Sequence, residues 1–334
     1  MVVRSLWFAG PQEVELRTEP ESPLGTTDVR VQTIASAISH GTEMLVFRGQ
    51  VPDGLELDLP TLRGSFGFPI KYGYASVGRV TEKGPRVNAL DVGDIVFVHH
   101  PHQTEYVVPE TMPIRLPAGL DPELGVFLAN VETATNIVLD AAPRFAERVI
   151  IFGQGVVGLL VTQLLERTGV SHITAVDPIA HRRQLATRVG ADTVLTPDVD
   201  VAGLDRDLAI EVSGNPAALD QALASVAFGA TVVVCSWYGT KPVPLTLGGP
   251  FHRRRLRVVS SQVSTIDAGL QPRWSRERRL TVACDLLRGL ALQPLISHHI
   301  AFERAAEAYR LVDEHPEETV QVVLTYPDSA TSRR

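Results

Sequence analysis

The segment FGQGVVG spaces three glycines as Gly153-x-Gly155-x-x-Gly158. It follows the apolar run RVII and precedes VVGLLVTQLLERTG, which is spaced for a helix. A glycine turn between a strand and a helix suits a pyrophosphate. Gly153 permits the tight turn, Gly155 lets the backbone approach the phosphates, and Gly158 lets the helix pack on the sheet. Phosphate oxygens would meet free N–H groups at the positive helix end, at Val156 and Val157. Asp177 ends a second apolar run, HITAVD, about 20 residues further on. A carboxylate there accepts hydrogen bonds from ribose hydroxyls and repels a 2′-phosphate, so NAD is expected over NADP. His181, Arg182 and Arg183 follow. Arg182 is kept as a cofactor-binding candidate able to serve a phosphate, with a solvated helix face as the plainer account. Ser213, in EVSG, completes the cofactor-binding candidates. The alternative is a turn that binds nothing, with Asp177 as a strand-end cap.

Other residues have chemistry but a looser pattern. His99, His100 and His102 sit together in VHHPHQ, and with His40 and Glu132 they could ligate a metal. Clustered loop histidines more often make hydrogen bonds or face solvent. Trp237, Tyr238, Phe251 and Trp274 are candidates to line a substrate cleft, or are core or interface residues. FHRRRLR has five basic residues in seven, enough for an acidic substrate group or for a solvated surface. Cys235 and Cys284 lie far apart and form neither a disulfide framework nor a multi-cysteine zinc lobe.

The elements that must position these residues fall into three stretches. The first ~115 residues read as short strands with turn signals, such as DVRVQTIASAIS, VGDIVFV and TEYVVPE, which argues for a small barrel or sandwich. PIKYGYASVGRV, residues 69–80, reads as a tight turn and a half-buried strand. Near residue 120 the texture changes to DPELGVFLANVETATNIVLDAA, which is helical. From Arg148, strands and helices alternate through RVIIFG, HITAVD, DLAIEVSG, ATVVVCSW and RLRVVSSQ, the pattern of a parallel doubly wound sheet. RERRLTVACDLLRGL and ERAAEAYRLVDEH read as helices, TVQVVLTY as a closing strand, and PDSATSRR as a loose tail. The fold class is therefore α/β, with expected divisions 1–120, 121–270 and 271–334.

The chain has 334 residues, 44% hydrophobic and 21% charged, with a formal charge of −7. That composition fits a soluble globular protein with a large core. It gives no general attraction to nucleic acid or an anionic membrane. The apolar runs are too short to span a bilayer, and the N-terminus lacks a secretory pattern, so a cytoplasmic protein is expected.

SHGTEMLVFRG, VGDIVFV, TEYVVPE, the glycine turn and LATRVGAD together resemble the medium-chain dehydrogenase/reductase superfamily over nearly the whole chain. The resemblance implies a GroES-like β-barrel catalytic domain, a Rossmann cofactor domain and a closing segment that returns to the catalytic domain. Members with a catalytic zinc bind it through Cys, His and either Glu or Cys. Carried over, the cysteine position is His40, the His-Glu pair is Tyr74-Ala75, and a frequent third-ligand position falls near Asn130. The structural zinc lobe is replaced by the short HHPHQ. Only His40 is a good zinc ligand, so a zinc-independent member is expected. PHQTEYVVP with NVETA resembles proteins related to bacteriochlorophyllide a dehydrogenase.

Without zinc, a carbonyl accepting hydride still needs a proton donor. The catalytic candidates are Tyr74, His40, Thr42, His102 and Glu132. Tyr74 and His40 match lost ligand positions, and Thr42 matches the hydroxyl that relays protons in the zinc enzymes. In plainer accounts Tyr74 fills space, His40 is structural, and Thr42 and Glu43 secure a turn. The leading reading is zinc-independent hydride transfer between NAD(H) and a secondary alcohol or ketone of a biosynthetic intermediate. Reduction of an activated C=C bond with NADPH is the alternative, and a cofactor-binding protein without catalysis is a third. A homodimer is expected through the sixth Rossmann strand, RLRVVSSQ.

Overall fold

The computed structural model describes residues 2–57, 59, 61–62 and 64–327. The chain forms two compact units. One comprises 1–129 with 296–334, and the other 130–295. These divisions fall later in the chain than 120 and 270. Most of the tail expected to be loose, from residue 328 on, lies outside the described residues.

In the first unit, β1 (Val2–Gly10) and β2 (Glu13–Pro20) make an antiparallel hairpin. The larger sheet uses β3 (Asp28–Ala37), β4 (Ser76–Lys83), β5 (Ile95–Val98), β6 (Glu105–Pro109) and β7 (Ile114–Arg115). The closing segment adds two more strands to it, described below. β4 lies between β3 and β5. Ser76, Val77, Gly78 and Val80 are buried while Arg79, Glu82 and Lys83 are exposed, the half-buried strand its sequence predicts. β6 pairs with β3 as well, which curls the sheet into the GroES-like barrel. The short helix α1 (Thr42–Phe47) follows β3. The apolar segment DPELGVFLANVETATNIVLDAA becomes a 3-10 turn over Pro122–Phe127 and then α2 (Leu128–Ala141).

The second unit is a six-stranded parallel sheet. Its strands are β8 (Arg148–Phe152), β9 (His172–Val176), β10 (Thr193–Leu195), β11 (Arg206–Glu211), β12 (Val226–Val234) and β13 (Arg257–Ser260). Their spatial order is β10-β9-β8-β11-β12-β13, the Rossmann order. The sheet is covered by α3 (Val156–Glu166), α4 (Ala180–Arg188) and α5 (Pro216–Ser225), and α6 (Arg276–Leu286) follows. β8 reads as an unbroken apolar run because it is a central parallel strand, buried from Val149 to Phe152. Asn215 caps α5 by accepting from Ala217 N, with Pro216 at the first helical position.

Returning to the first unit, β14 (Ile296–Ala301), α7 (Ala305–Glu314) and β15 (Gln321–Thr325) complete the barrel sheet through β15 against β3. α7 buries Ala305, Ala308, Tyr309 and Val312, one stripe at helical spacing. Tyr309 packs edge-on to Phe8, with ring centroids 5.2 Å apart. No helix among the described residues is long and apolar enough to cross a membrane.

Candidate active site

In the first unit the chain leaves β3, passes Ser39 and His40, and enters α1 at Thr42. The next residue, Glu43, is fully buried. A buried carboxylate needs donors around it, and three segments supply them. Its Oε2 lies 3.0 Å from His102 Nε2 and accepts from the Tyr309 hydroxyl at 2.7 Å. Its Oε1 accepts from the Ser39 backbone N–H at 3.1 Å. A carboxylate oxygen accepts, so the contact is a hydrogen bond with His102 Nε2 as donor when that nitrogen carries the proton. His102 Nδ1 faces Ser36 Oγ at 2.7 Å, and Ser36 continues to the Tyr326 hydroxyl at 2.8 Å.

Against this core lies the turn before β4. Gly73 has φ +124°, and a Cβ there would stand 2.8 Å from His102 Cδ2 and Nε2. Glycine is required both by the backbone and by the histidine. The next residue, Tyr74, donates its hydroxyl proton to Ser39 Oγ at 2.6 Å. Thr42 lies beside the same phenol and favours its ionised form. Burial, and then the charge of Glu43, push the phenol up to about 12, against the opposing effects of Ser39 and Thr42. Tyr74 is therefore a neutral hydrogen-bond donor at pH 7.

The catalytic candidates thus separate. Tyr74 and Thr42 come together, with Ser39 between β3 and α1. His102 lies behind them with both nitrogens engaged, which suits support rather than proton donation. His40 is half-buried just before α1. Glu132 belongs to the second unit, on α2, where Arg279 grips its Oε1 from Nε at 3.1 Å and Nη2 at 2.9 Å. Arg279 is 1% exposed and also binds Asn136 Oδ1 and the carbonyls of Val263 and Thr265. Glu132 therefore ties α2 to α6. The three neighbouring histidines do not converge. His99 Nδ1 meets Tyr74 O, His100 Nδ1 meets Pro101 O, and His102 joins Glu43.

The glycine turn sits where the sequence places it, between β8 and α3. A Cβ on Gly153 would lie 2.6 Å from Ser213 Cα, and one on Gly158 would lie 2.0 Å from Gly153 O. A Cβ on Gly155 meets nothing within 4 Å. That glycine leaves open room where a pyrophosphate would lie. Helix geometry leaves the N–H groups of Val156 and Val157 without intrahelical acceptors. Asp177 is buried and accepts from Gln154 N at 2.7 Å and Ile179 N at 2.8 Å, so it braces the turn. Arg182 is held below its ordinary value by burial, with Asp177's charge opposing. Arg183 donates to the carbonyls of Asp177 and Pro178. Ser213 donates its N–H and hydroxyl to buried Glu211. These residues fit a dinucleotide.

Among the substrate candidates, Tyr238 donates to Glu211 Oε2 at 2.5 Å and packs, with Phe251, on the Rossmann core. Trp274 lies under the Arg278 guanidinium at 4.2 Å. Trp237 is exposed. Sequence reasoning did not single out Ser36, Ser39, Tyr309 or Tyr326. Only Tyr309 had a signal, its place on the apolar stripe of α7.

Comparison with known proteins gives the class. The family described as "Zinc-binding dehydrogenase" matches residues 156–279. D-guloside 3-dehydrogenase of Escherichia coli K12 is 28% identical over 352 residues, covering 97% of this chain and 100% of the relative. The 2-desacetyl-2-hydroxyethyl bacteriochlorophyllide A dehydrogenase of Cereibacter sphaeroides is 27% identical over 330 residues, covering 93% and 94%. Two solved structures share the fold. One is an alcohol dehydrogenase of E. coli CFT073 complexed with NADH, with TM-score 0.80, 18% identity and coverage of 97% and 99%. The other, a dehydrogenase of Sinorhizobium meliloti 1021 bound to NADP, has TM-score 0.78, 21% identity and the same coverage. Fold, glycine turn and relatives support an NAD(P)-dependent dehydrogenase. Within that class, the chain is similar to zinc-binding dehydrogenases over residues 156–279.

That similarity raises the question of zinc. At the carried-over positions Tyr74 has given its hydroxyl to Ser39, Ala75 has no donor atom, and a neutral phenol and the Asn130 amide are poor zinc ligands. Among the described residues, the group of His, Cys, Asp or Glu donors close enough to share an ion is His315, Glu317 and Glu318, all exposed. The donor set at the inherited positions does not fit zinc.

Proposed function

We propose that this chain transfers hydride between NAD(H) and a secondary alcohol or ketone of a biosynthetic intermediate, with no zinc at the inherited position. The observation that carries the reading is Tyr74. It matches a zinc-ligand position of related enzymes, stays neutral at pH 7, and donates its hydroxyl proton to Ser39 Oγ. A bound nicotinamide supplies or accepts the hydride. Tyr74 hydrogen-bonds the substrate oxygen and gives it a proton in reduction, taking over part of what a metal does by polarising a carbonyl. Gly155, Val156 and Val157 hold the pyrophosphate, and Asp177 takes the ribose hydroxyls. The relatives, a guloside 3-dehydrogenase and a hydroxyethyl bacteriochlorophyllide dehydrogenase, favour a hydroxyl on a larger molecule.

A cofactor-reduction screen tests this, with secondary alcohols that include glycosides and diols. NADH formation is expected, and Tyr74→Phe lowers turnover by at least about tenfold, the lower range for a positioned general acid. NADPH consumption with enones would replace the reading with C=C reduction. Tight cofactor binding with no turnover on either panel would replace it with a non-catalytic role.

A further inference from the structure

We propose that Ser39 is the residue that makes Tyr74 a usable proton donor, and that Glu43 positions it. This rests on the reading of Tyr74 as the donor. Ser39 is joined to the site twice. Its hydroxyl accepts the Tyr74 proton at 2.6 Å, and its backbone N–H is held by Glu43 Oε1 at 3.1 Å. Glu43 is itself fixed by His102 at 3.0 Å and Tyr309 at 2.7 Å, from the loop before β6 and from α7. Three groups, from just before α1, the loop before β6 and α7, therefore converge on one buried carboxylate, and the atom it positions beside the phenol is Ser39 Oγ.

A serine hydroxyl both accepts and donates. Before reduction it accepts from the phenol and holds the ring in place. With substrate bound, the Tyr74 hydroxyl turns its proton from Ser39 Oγ to the substrate oxygen; as the substrate carbon gains hydride, that O–H bond breaks and the proton bonds the substrate oxygen. The Ser39 hydroxyl then turns and donates to the phenolate left behind. Ser39 keeps its own proton, and the phenolate regains one from solvent. In alcohol oxidation the steps reverse. A hydrogen bond to a charged oxygen is about twice as strong as one between neutral groups, so the contact gains strength as the proton leaves. Glu43 cannot serve as the proton source because its oxygens are taken up by Ser39, His102 and Tyr309. It acts on Tyr74 only by holding Ser39.

The test uses the full chain and four variants, Ser39→Ala, Ser39→Thr, Glu43→Gln and Tyr74→Phe, each checked for folding by circular dichroism. The first readout needs no substrate or cofactor. In protein labelled with 3-fluorotyrosine, the fluorine resonance lost in Tyr74→Phe marks Tyr74. Ser39→Ala and Glu43→Gln are expected to move that resonance, and Ser39→Thr to restore it. The second readout is turnover on an alcohol that wild type oxidises. Ser39→Ala should lower kcat by about tenfold with KM and NADH affinity nearly unchanged, the scale of one hydrogen bond to a developing charge. Ser39→Thr should recover most of it, and Glu43→Gln should fall between. An unmoved Tyr74 resonance in folded Ser39→Ala, or wild-type kcat in that variant while Tyr74→Phe is impaired, overturns the proposal and leaves Tyr74 as the donor. Full activity in Tyr74→Phe, or no turnover by wild type on any alcohol, overturns the reading beneath it.

Discussion

Replacing Gly73 with Ala perturbs the active-site turn at one carbon atom. Two costs can be worked from the geometry. The φ of +124° lies where an L-residue is strained, which costs about 1–3 kcal/mol. The new Cβ would also sit 2.8 Å from His102, which is fully buried and tied at both nitrogens, so it cannot simply swing away. Overpacking of this kind costs about 1–3 kcal/mol. The sum, centred near about 4 kcal/mol, is a large part of the 5–15 kcal/mol typical of a folded protein. Only the second cost involves His102. The double variant with His102→Ala should therefore be more stable than the sum of the single losses predicts, by about 1–2 kcal/mol. Urea unfolding measures this. Trp7 lies in the first unit and Trp237 and Trp274 in the second, so Trp237→Phe with Trp274→Phe leaves Trp7 fluorescence reporting on the first unit alone. A Gly73→Ala loss below about 0.5 kcal/mol, the ordinary surface range, would refute the reasoning. So would strict additivity with His102→Ala.

Three further outcomes are expected. Asp177→Ser should weaken NADH binding and narrow the preference over NADPH by about tenfold, or 1.4 kcal/mol. It should also loosen the turn that Asp177 braces through Gln154 N. Tighter NADPH than NADH binding by wild type would show that Asp177 has been misread. A homodimer is proposed through β13, the edge strand of the Rossmann sheet, where Val258 and Val259 are 39% and 36% exposed. Light scattering at micromolar concentration should give twice the chain mass, and a monomer there argues against it. His100, stacked 3.7 Å from Tyr106, is pushed down to about 4, chiefly by burial. Its folded-state value lies below the ordinary value of about 6.5, so the unfolded chain binds the proton first. Stability from the neutral ring is complete above about 6.5 and is lost as the pH falls toward 4. His100→Phe should flatten that slope, and an unchanged slope would remove His100 as its cause.

The Rossmann unit was legible because each of its signals is local. The unbroken apolar run of β8, the glycine spacing and Asp177 each depend on near neighbours in sequence. The barrel was legible only in outline. In ASVGRV the alternation around exposed Arg79 did mark β4 as half-buried, but not which strands, β3 and β5, pair on either side of it. A resemblance set Tyr74 and Ala75 at positions that carry zinc ligands in related enzymes, which motivates the zinc-free reading proposed above. What holds Tyr74 was not readable. Glu43, His102 and Tyr309 are far apart in the chain and meet only when β3, the loop before β6 and α7 are assembled. Glu132 shows the opposite limit. As a carboxylate in NVETA it was a fair catalytic candidate, until α6 brought Arg279 against it.

The central claim, a dehydrogenase that works with Tyr74 in place of a metal, is tested most directly by metal content measured alongside activity. Protein purified without chelators is analysed for zinc, then assayed before and after exhaustive chelation on an alcohol it oxidises. The account predicts far less than one zinc per chain and unchanged turnover after chelation. One zinc per chain, removed by the chelator together with the activity and restored with it on adding zinc, would contradict it.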